Sequence, residues 1–383
     1  MAERRRRVLL VTRNLPPLVG GMERLNWHMA QQLAAGAEIR VIAPQGSAAS
    51  APPGVRVIEV PLRPLWRFLA GATWRSILQA RAWRADVVLA GSGLTALPAW
   101  LAARAASAKA AAYVHGLDVV VRDWTYRRVW LPALRRMDIV IANSSPTCAL
   151  ARQAGVAADR IELLYPGVAP PLALASAQSR SAWRAELQLE TGPILLSVGR
   201  LTTRKGMREF VRDVFPRIVA VHPGATLLVV GDAPAHSLHA ESQSPESIRE
   251  EAMHAGISDR VKFLGGIPDE QLERVLSVAD VHVFPVRDLP GNPEGFGMVA
   301  VEAAAHGLAT AAYATGGVVD SVADGISGVL APPGDADTLA RNILDLVDRP
   351  LPPEPMQAFA AGFAWPRFGE RLRALLVEGV VKG

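Results

Sequence analysis

The sequence has one cysteine, Cys148, in 383 residues, so no internal disulfide framework can form. That fits a reducing compartment. No residue beside Cys148 offers a partner base, so it reads as a small buried side chain rather than a nucleophile. No apolar run is long enough to span a bilayer. The most apolar region, Leu94 to Ala112, is Ala-rich and is interrupted by Arg104 and Lys109. Arg4-Arg5-Arg6-Arg7 precedes only four strong apolar residues, Val8-Leu9-Leu10-Val11, before Arg13 and Pro16 intervene. A signal peptide needs a longer apolar core and a small-residue cleavage site, so this segment reads as a first β-strand behind a basic clamp. No internal repeat at solenoid spacing is present. A phosphate loop of the form GxxxxGK[ST] is also missing.

What is there is globular: 50% of residues are hydrophobic and 20% charged, with length enough for two or three domains. The net charge of +5 hides an asymmetry. Residues 1–170 hold 22 Lys and Arg against 10 Asp and Glu, a net of +12, and the remainder hold 19 against 26, a net of −7. Seven of the nine Trp lie in the first 170 residues. A basic, Trp-rich half suggests an anionic partner for that half, either nucleic acid or an anionic membrane surface. Two segments carry this character. One runs from Arg63 to Arg84 with Trp66, Trp74 and Trp83; the other runs from Arg122 to Arg136 with Trp124, Tyr126 and Trp130. Amphipathic Arg/Trp helices suit a headgroup interface, and Arg stems laid over aromatic core positions produce the same pattern. Nucleic-acid binding would need stacking aromatics on an exposed sheet or loop, and no such module is evident.

Short apolar runs alternate with longer amphipathic ones, the pattern of an α/β chain with a parallel sheet. Strands are expected at Val8–Thr12, Glu38–Ala43, Val55–Glu59, Val87–Ala90, Ala111–His115, Ile139–Asn143 and Ile161–Leu163. A helix from about Met22 to Ala35 ends at Gly36, a C-terminal cap by its position. Pro/Gly punctuation at residues 165–171 and small polar residues from Ala173 to Ser181 mark an interdomain linker. The alternation then restarts with strands at Pro193–Val198, Thr226–Val230, Val261–Leu264, Val281–Phe284, Thr310–Tyr313 and Gly328–Leu330. Helices fit Gly206–Val221, Pro245–Ala255, Asp269–Ser277, Met298–His306 and Ala336–Asp348. Asp335-Ala336-Asp337 formally matches a DxD metal motif, but it opens a helix after Pro332-Pro333-Gly334 and reads as a cap. Past the Pro-rich break at residues 350–355, Trp365 opens a terminal amphipathic helix.

The chemistry-bearing residues cluster at strand exits, where open α/β sheets bind ligands. In Pro293-Glu294-Gly295-Phe296-Gly297-Met298-Val299-Ala300-Val301-Glu302 two glutamates stand eight positions apart across a Gly-rich turn after a buried strand. Two acceptor-only groups suit a hydroxyl-rich ligand; a helix start with acidic residues near its dipole gives the same spacing. Gly199-Arg200 through Arg204-Lys205-Gly206 follows another strand and precedes a helix, so cations and backbone N–H groups converge as a diphosphate would require. A basic surface turn is the plainer account. Val230-Gly231-Asp232 and Gly265-Gly266-Ile267 are two further exits able to approach a base or ribose. Gly20-Gly21-Met22-Glu23 brings backbone to a helix start without a GxGxxG fingerprint, and His115-Gly116-Leu117-Asp118 follows a buried strand.

In this order the motifs resemble those of glycosyltransferase family 4, over essentially the whole chain, with the E-x7-E pair Glu294 and Glu302 as the most specific element. The resemblance implies an α/β chain of the GT-B fold: two Rossmann-like doubly wound domains facing a cleft. Residues 1–170 would be the acceptor domain, 186–363 the nucleotide-sugar donor domain, and helix 364–383 would cross back onto the first. It implies a retaining hexosyltransferase working without a metal or other cofactor. The donor would be GDP-mannose or a UDP-hexose and the acceptor a glycan or lipid-linked molecule of envelope or exopolysaccharide assembly. Arg200 and Lys205 would bind the departing diphosphate, Glu294 the sugar hydroxyls and Glu302 the ribose; with His115 near the reacting centre, Glu294, Arg200 and Lys205 form the catalytic group. Gly20, Gly21, Ile267, Gly295, Phe296 and Gly297 would complete the donor site, with Gly316-Gly317 nearby, and Glu23, His115 and Asp118 the acceptor side. Domain closure would exclude water. The expected location is cytoplasmic, peripheral on the inner face of the membrane, with no nucleic-acid partner. An epimerase or phosphorylase on the same fold, or a non-catalytic sugar-nucleotide binder, are the alternatives.

Overall fold

In the computed structural model, residues 4–121, 123–171, 176–187, 189, 192–233 and 242–378 are described. They form two compact units, one of residues up to Gly167 together with those from Ala364 onward, the other Val168–Phe363.

The first unit is built on seven strands: β1 (Arg7–Val11), β2 (Glu38–Pro44), β3 (Arg56–Val60), β4 (Val87–Ala90), β5 (Lys109–Val114), β6 (Ile139–Ala142) and β7 (Ile161–Leu163). They are parallel throughout, in the order β3-β2-β1-β4-β5-β6-β7. Every residue of β4 and β6 is buried, as their unbroken apolar runs require of a sheet covered on both faces. The covering helices are α1 (Gly21–Ala34), α2 (Leu65–Trp83), α3 (Ala96–Ala106), α4 (Leu117–Val120), α5 (Leu131–Arg135) and α6 (Ser145–Gln153). Cys148 is buried in the core beside Ala151 and Val156.

The second unit holds a helix, α7 (Ala177–Glu186), then β8 (Ile194–Val198), β9 (Thr226–Val230), β10 (Val261–Gly265), β11 (Val281–Phe284), β12 (Thr310–Tyr313) and β13 (Gly328–Ala331). These strands are also parallel, in the order β10-β9-β8-β11-β12-β13. Its further helices are α8 (Met207–Asp213), α9 (Phe215–Val221), α10 (Pro245–His254), α11 (Asp269–Val278), α12 (Met298–Ala305), α13 (Val318–Ser321), α14 (Ala336–Asp348) and α15 (Pro353–Ala361). The chain then returns to the first unit as α16 (Trp365–Arg373) and a π-helical turn over Ala374–Glu378. Among the described residues no helix is long and apolar enough to cross a membrane.

Three expectations are corrected. The helix expected over Gly206–Val221 is two helices, because Pro216 supplies no amide and its ring would strike the carbonyl one turn back in a continuous helix. Gly36 is not a left-handed cap: α1 ends through Ala35 in the right-handed region. Its lack of a side chain makes room for Arg373, whose Cδ would lie 2.8 Å from a Cβ there. The linker expected over Ala173–Ser181 is in part α7, capped by Ser176, which accepts from the Ser179 amide; residues 172–175 lie outside the described residues. The terminal residues 379–383 and Arg122 lie outside them as well. Asp335 caps α14 as read, accepting from the Thr338 amide at 2.9 Å.

Candidate functional site

The direction of strand order reverses between β8 and β11, which pair with each other. Their carboxyl ends are therefore the switch point of the second sheet, where a crevice forms. The β8 exit carries Arg200, Arg204 and Lys205, and the β11 exit leads to Glu294. The two loops meet there. Lys205 Nζ lies 2.9 Å from Glu294 Oε2, and Arg204 Nε lies 3.3 Å from the same oxygen. Arg204 also donates to the Pro293 carbonyl at 2.8 Å. The Lys205 ammonium sits over the Phe284 ring, 4.4 Å from its centroid.

The geometry depends on glycine at two places. Gly206 ends the cationic loop at φ +71, and a Cβ there would strike the Pro285 carbonyl. Gly316-Gly317 packs against the Glu294 loop, with the Gly317 amide donating to the Glu294 carbonyl at 2.9 Å. A Cβ on Gly317 would overlap the Gly295 carbonyl.

The electrostatics follow. Burial pushes the Glu294 carboxyl upward, but the charges of Arg204 and Lys205 outweigh it and hold the group at about 2. Burial draws Lys205 below its ordinary value, with Glu294 opposing. His282 on β11 is wholly buried, and burial with the nearby Lys205 charge lowers it to about 3. The cluster thus holds a permanently ionised carboxylate, at least two cations and a neutral imidazole. Arg200 is half-buried and adds its charge to the field at Glu294 and Lys205. Arg204 is the site residue that the sequence reading left without a role. Its signal was its place inside the cationic loop, next to Lys205.

The other second-unit candidates lie around this cluster. Gly297 is the N-cap of α12 at φ +89, and Glu302 sits about one turn into that helix, half-buried. Phe296 is buried against Phe363, ring centroids 5.6 Å apart, so only its backbone can face a ligand. Ile267 is half-buried against the core, just past β10. The Asp232 carboxylate accepts from the Gly266 amide at 2.8 Å, joining the two remaining Gly-rich exits.

In the first unit the reversal falls between β1 and β4. Here the β1 exit, the start of α1 and the β5 exit converge. Glu23 is buried and accepts from Asn14 Nδ2 at 2.6 Å. A Cβ on Gly20 would strike the Glu23 carboxylate, so the carboxylate folds over bare backbone. No side chain caps α1, which leaves its leading N–H groups as a partial positive charge. The His115 Nε2 lies 3.1 Å from the Gly91 carbonyl. A carbonyl only accepts, so Nε2 carries the proton. Asp118 holds the His115 amide at 3.0 Å and its own carbonyl accepts from the Tyr126 hydroxyl at 2.7 Å. Arg13, which the sequence reading did not assign, is buried at the β1 exit.

The chain matches the family described as Glycosyl transferases group 1 over residues 179–361 and that described as Glycosyltransferase Family 4 over residues 19–170. It is 28% identical to the GDP-mannose-dependent alpha-(1-6)-phosphatidylinositol monomannoside mannosyltransferase of Mycolicibacterium smegmatis, covering 96% of this chain and 98% of that one. It is 29% identical to the glycogen synthase of Mycobacterium tuberculosis over 90% of this chain and 86% of the relative. Among solved structures it superposes on Anabaena Alr3699/HepE in complex with UDP, with a TM-score of 0.79, 22% identity, and 97% and 99% coverage. Sucrose-phosphate synthase from Thermosynechococcus elongatus gives 0.78 at 24% identity, covering 97% and 98%. Both likenesses are of the two-domain GT-B fold.

Proposed function

The chain belongs to glycosyltransferase family 4, and on that premise we propose that it transfers a hexosyl unit from a nucleoside diphosphate sugar, with retention at the anomeric carbon. The observation that carries this reading is the Lys205–Glu294–Arg204 cluster at the switch point of the second sheet. Arg200, Arg204 and Lys205 gather more positive charge than Glu294 balances, which suits a diphosphate. An arriving diphosphate would compete with Glu294 for Lys205. Glu294, released from part of that pairing and still ionised, would accept hydrogen bonds from sugar hydroxyls. As the sugar–phosphate bond breaks, the same cations would stabilise the departing diphosphate in a pre-organised field. In this reading the three cations take the part that a metal would otherwise play at the departing diphosphate.

The relatives point to two donor classes. The mycobacterial relative is GDP-mannose-dependent and acts on a phosphatidylinositol monomannoside; the Anabaena protein was solved with UDP. The acceptor we propose is a glycan or lipid-linked molecule met at the inner membrane face, as in envelope or exopolysaccharide assembly. The surface of the first unit supports this. Trp66 and Trp74 on α2 are 65% and 64% exposed, and Trp124 is 69% exposed. Arg67 and Arg128 lie over Trp66 and Trp124. An open cavity of about 720 Å³ in the same unit is lined by Trp100, Arg104, Arg136 and Arg160.

The test is thermal stabilisation by UDP, GDP and ADP. At ~100 times its dissociation constant the right nucleotide adds about 2.7 kcal/mol. The Arg200→Ala/Lys205→Ala protein should lose that gain. If no nucleotide at millimolar concentration stabilises the wild type, the reading fails. Retention is checked by the anomeric configuration of the first-formed product.

A further inference from the structure

We propose that the cavity at the amino edge of the first sheet is a second anion site, which binds the phosphate group of a ligand from outside the chain, away from the transfer chemistry. Its volume of about 720 Å³ falls in the range of small-molecule sites. Three elements each bring one arginine to it. Arg104 comes from the last turn of α3, Arg136 is the C-cap of α5, and Arg160 closes the 3-10 turn Ala158–Arg160 before β7. All three are exposed, and none is in an ion pair with a described carboxylate. Arg160 donates to the Met137 carbonyl at 3.3 Å, which ties its guanidinium to the chain just before β6. Arg136 lies over the Trp100 ring, 5.8 Å from its centroid. Trp100 packs on the core and is half-buried, so the rest of its surface is left to the cavity. The one carboxylate on the wall, Asp138, accepts from the Ala110 amide at 2.8 Å. Three guanidinium groups against one carboxylate leave the cavity with surplus positive charge. Helix C-termini attract cations through their dipoles, which accounts for Arg104 and Arg136 singly. It does not account for Arg160, which ends no α-helix, or for an aromatic side chain on the same concave wall.

Its place separates this cavity from the transfer site. Ligands of an open α/β sheet bind at the carboxyl ends of the strands. The cavity is at the amino ends, since Ala110, Asp138 and Arg160 stand at the starts of β5, β6 and β7. Ala110 begins β5 and His115 follows its end, and that length of extended strand puts about 16 Å between them. The inference therefore goes beyond the transfer reading and does not rest on it. Phosphate is the anion that suits the lining. A guanidinium fork binds phosphate oxygens in bidentate fashion. A carboxylate has two oxygens in one plane and fills one such fork, whereas a phosphate has oxygens for more than one. The Trp100 ring offers a face for the organic part of the ligand. Such phosphates occur on soluble metabolites and on lipid headgroups, and the chemistry of the cavity is the same for both.

The experiment uses the full chain in the Arg200→Ala/Lys205→Ala background, so that the second-unit cations do not report. Inorganic phosphate is titrated while the thermal midpoint is followed, against sodium chloride and sodium acetate at equal ionic strength. Phosphate should raise the midpoint beyond either control. Arg104→Gln/Arg136→Gln/Arg160→Gln, three exposed changes that leave the core intact, should abolish that difference, and each single change should weaken apparent phosphate affinity several-fold. No phosphate effect, an equal effect with and without the three arginines, or a control salt that reproduces it overturns the proposal. Two further arms identify the source of the phosphate. Glycerol 3-phosphate is titrated in the same way, and co-sedimentation is measured with vesicles of phosphatidylglycerol in phosphatidylcholine. Weaker vesicle binding by the triple variant assigns the site to a lipid headgroup. Unchanged vesicle binding with loss of the glycerol 3-phosphate shift assigns it to a soluble ligand, and retention of both overturns the site. In the otherwise wild-type chain the triple change should leave the nucleoside diphosphate shift unchanged. Loss of that shift would make these arginines part of donor binding and overturn a separate site. A failed nucleotide response in the wild type removes the transfer reading and leaves the phosphate result standing.

Discussion

Lys205 keeps its charge in a largely buried place because Glu294 answers it, so the pair should be read through its loss. Removing one member of a buried pair costs about 3–5 kcal/mol. Lys205 retains some solvent contact, so Glu294→Gln should destabilise by about 2 kcal/mol at neutral pH. The sign with pH follows from the carboxyl being held at about 2, below its ordinary value near 4.5. A depressed carboxyl contributes stability fully present above its unfolded pKa and lost as pH falls toward the folded one. The gap between wild type and Glu294→Gln in denaturant melts should therefore narrow below about pH 4.5. A gap that stays constant to pH 3 would contradict the ion pair. His282, held neutral down to about 3, makes both proteins lose stability from about pH 6.5 downward, and it cancels in the difference. Both residues stood out in the sequence as strand-exit charges. Their contact did not, because it depends on β8 lying beside β11, an adjacency between strands far apart in the chain. Arg13 was illegible for a different reason. A single arginine after a strand usually reaches solvent, and only the fold shows that this one does not.

Among the elements, the loop before α13 sets the geometry around Glu294. Thr315 donates to the Val286 carbonyl at 3.0 Å, and Gly317 holds the Glu294 carbonyl. Gly317→Ala would push a methyl into the Gly295 carbonyl, and overpacking of this kind costs about 1–3 kcal/mol. The expected result is a folded protein with a lower melting temperature and no stabilisation by the nucleotide that stabilises the wild type. An unchanged nucleotide shift would mean the loop can yield. Helix type and position were legible wherever periodicity and caps agreed, as in α14, where Asp335 begins the helix and Leu339, Ala340, Ile343 and Leu346 face inward. They failed where tertiary contact set the rule. Gly36 looked like a cap and is a contact point for Arg373, which donates to the Gln32 carbonyl at 2.8 Å. The terminal helix is held to α1 by such contacts, including His28 stacked on Trp365 at 3.9 Å, and none of them has a local sequence signature.

At the scale of the whole molecule, both sheets were legible because an all-parallel sheet needs near-continuous apolar strands. Strands β4, β7, β9, β11 and β12 begin and end where that pattern places them. The charge was legible too, but its meaning needed the surface. Trp83 is buried with Arg40 over its ring, the packing account of the Arg/Trp pattern. Trp66, Trp74 and Leu78 on α2 point outward at spacings of eight and four, one helix face, with Arg67 and Arg75 alongside. An aromatic stripe flanked by arginines is the arrangement an anionic bilayer surface attracts, each basic residue near the surface adding about 1 kcal/mol at low screening. The full chain should therefore co-sediment with vesicles containing anionic lipid and not with zwitterionic ones. Binding should fall as salt rises from 50 to 500 mM, since the Debye length shrinks from about 14 to about 4 Å over that range. Trp66→Ala/Trp74→Ala should weaken it at every salt concentration, because the apolar insertion is unscreened, while Arg67→Gln/Arg75→Gln should flatten the salt dependence. Binding that ignores lipid charge would remove the electrostatic half of this account. Binding that survives loss of both tryptophans would move the contact away from α2, toward Trp124 or the cavity ringed by Arg104, Arg136 and Arg160.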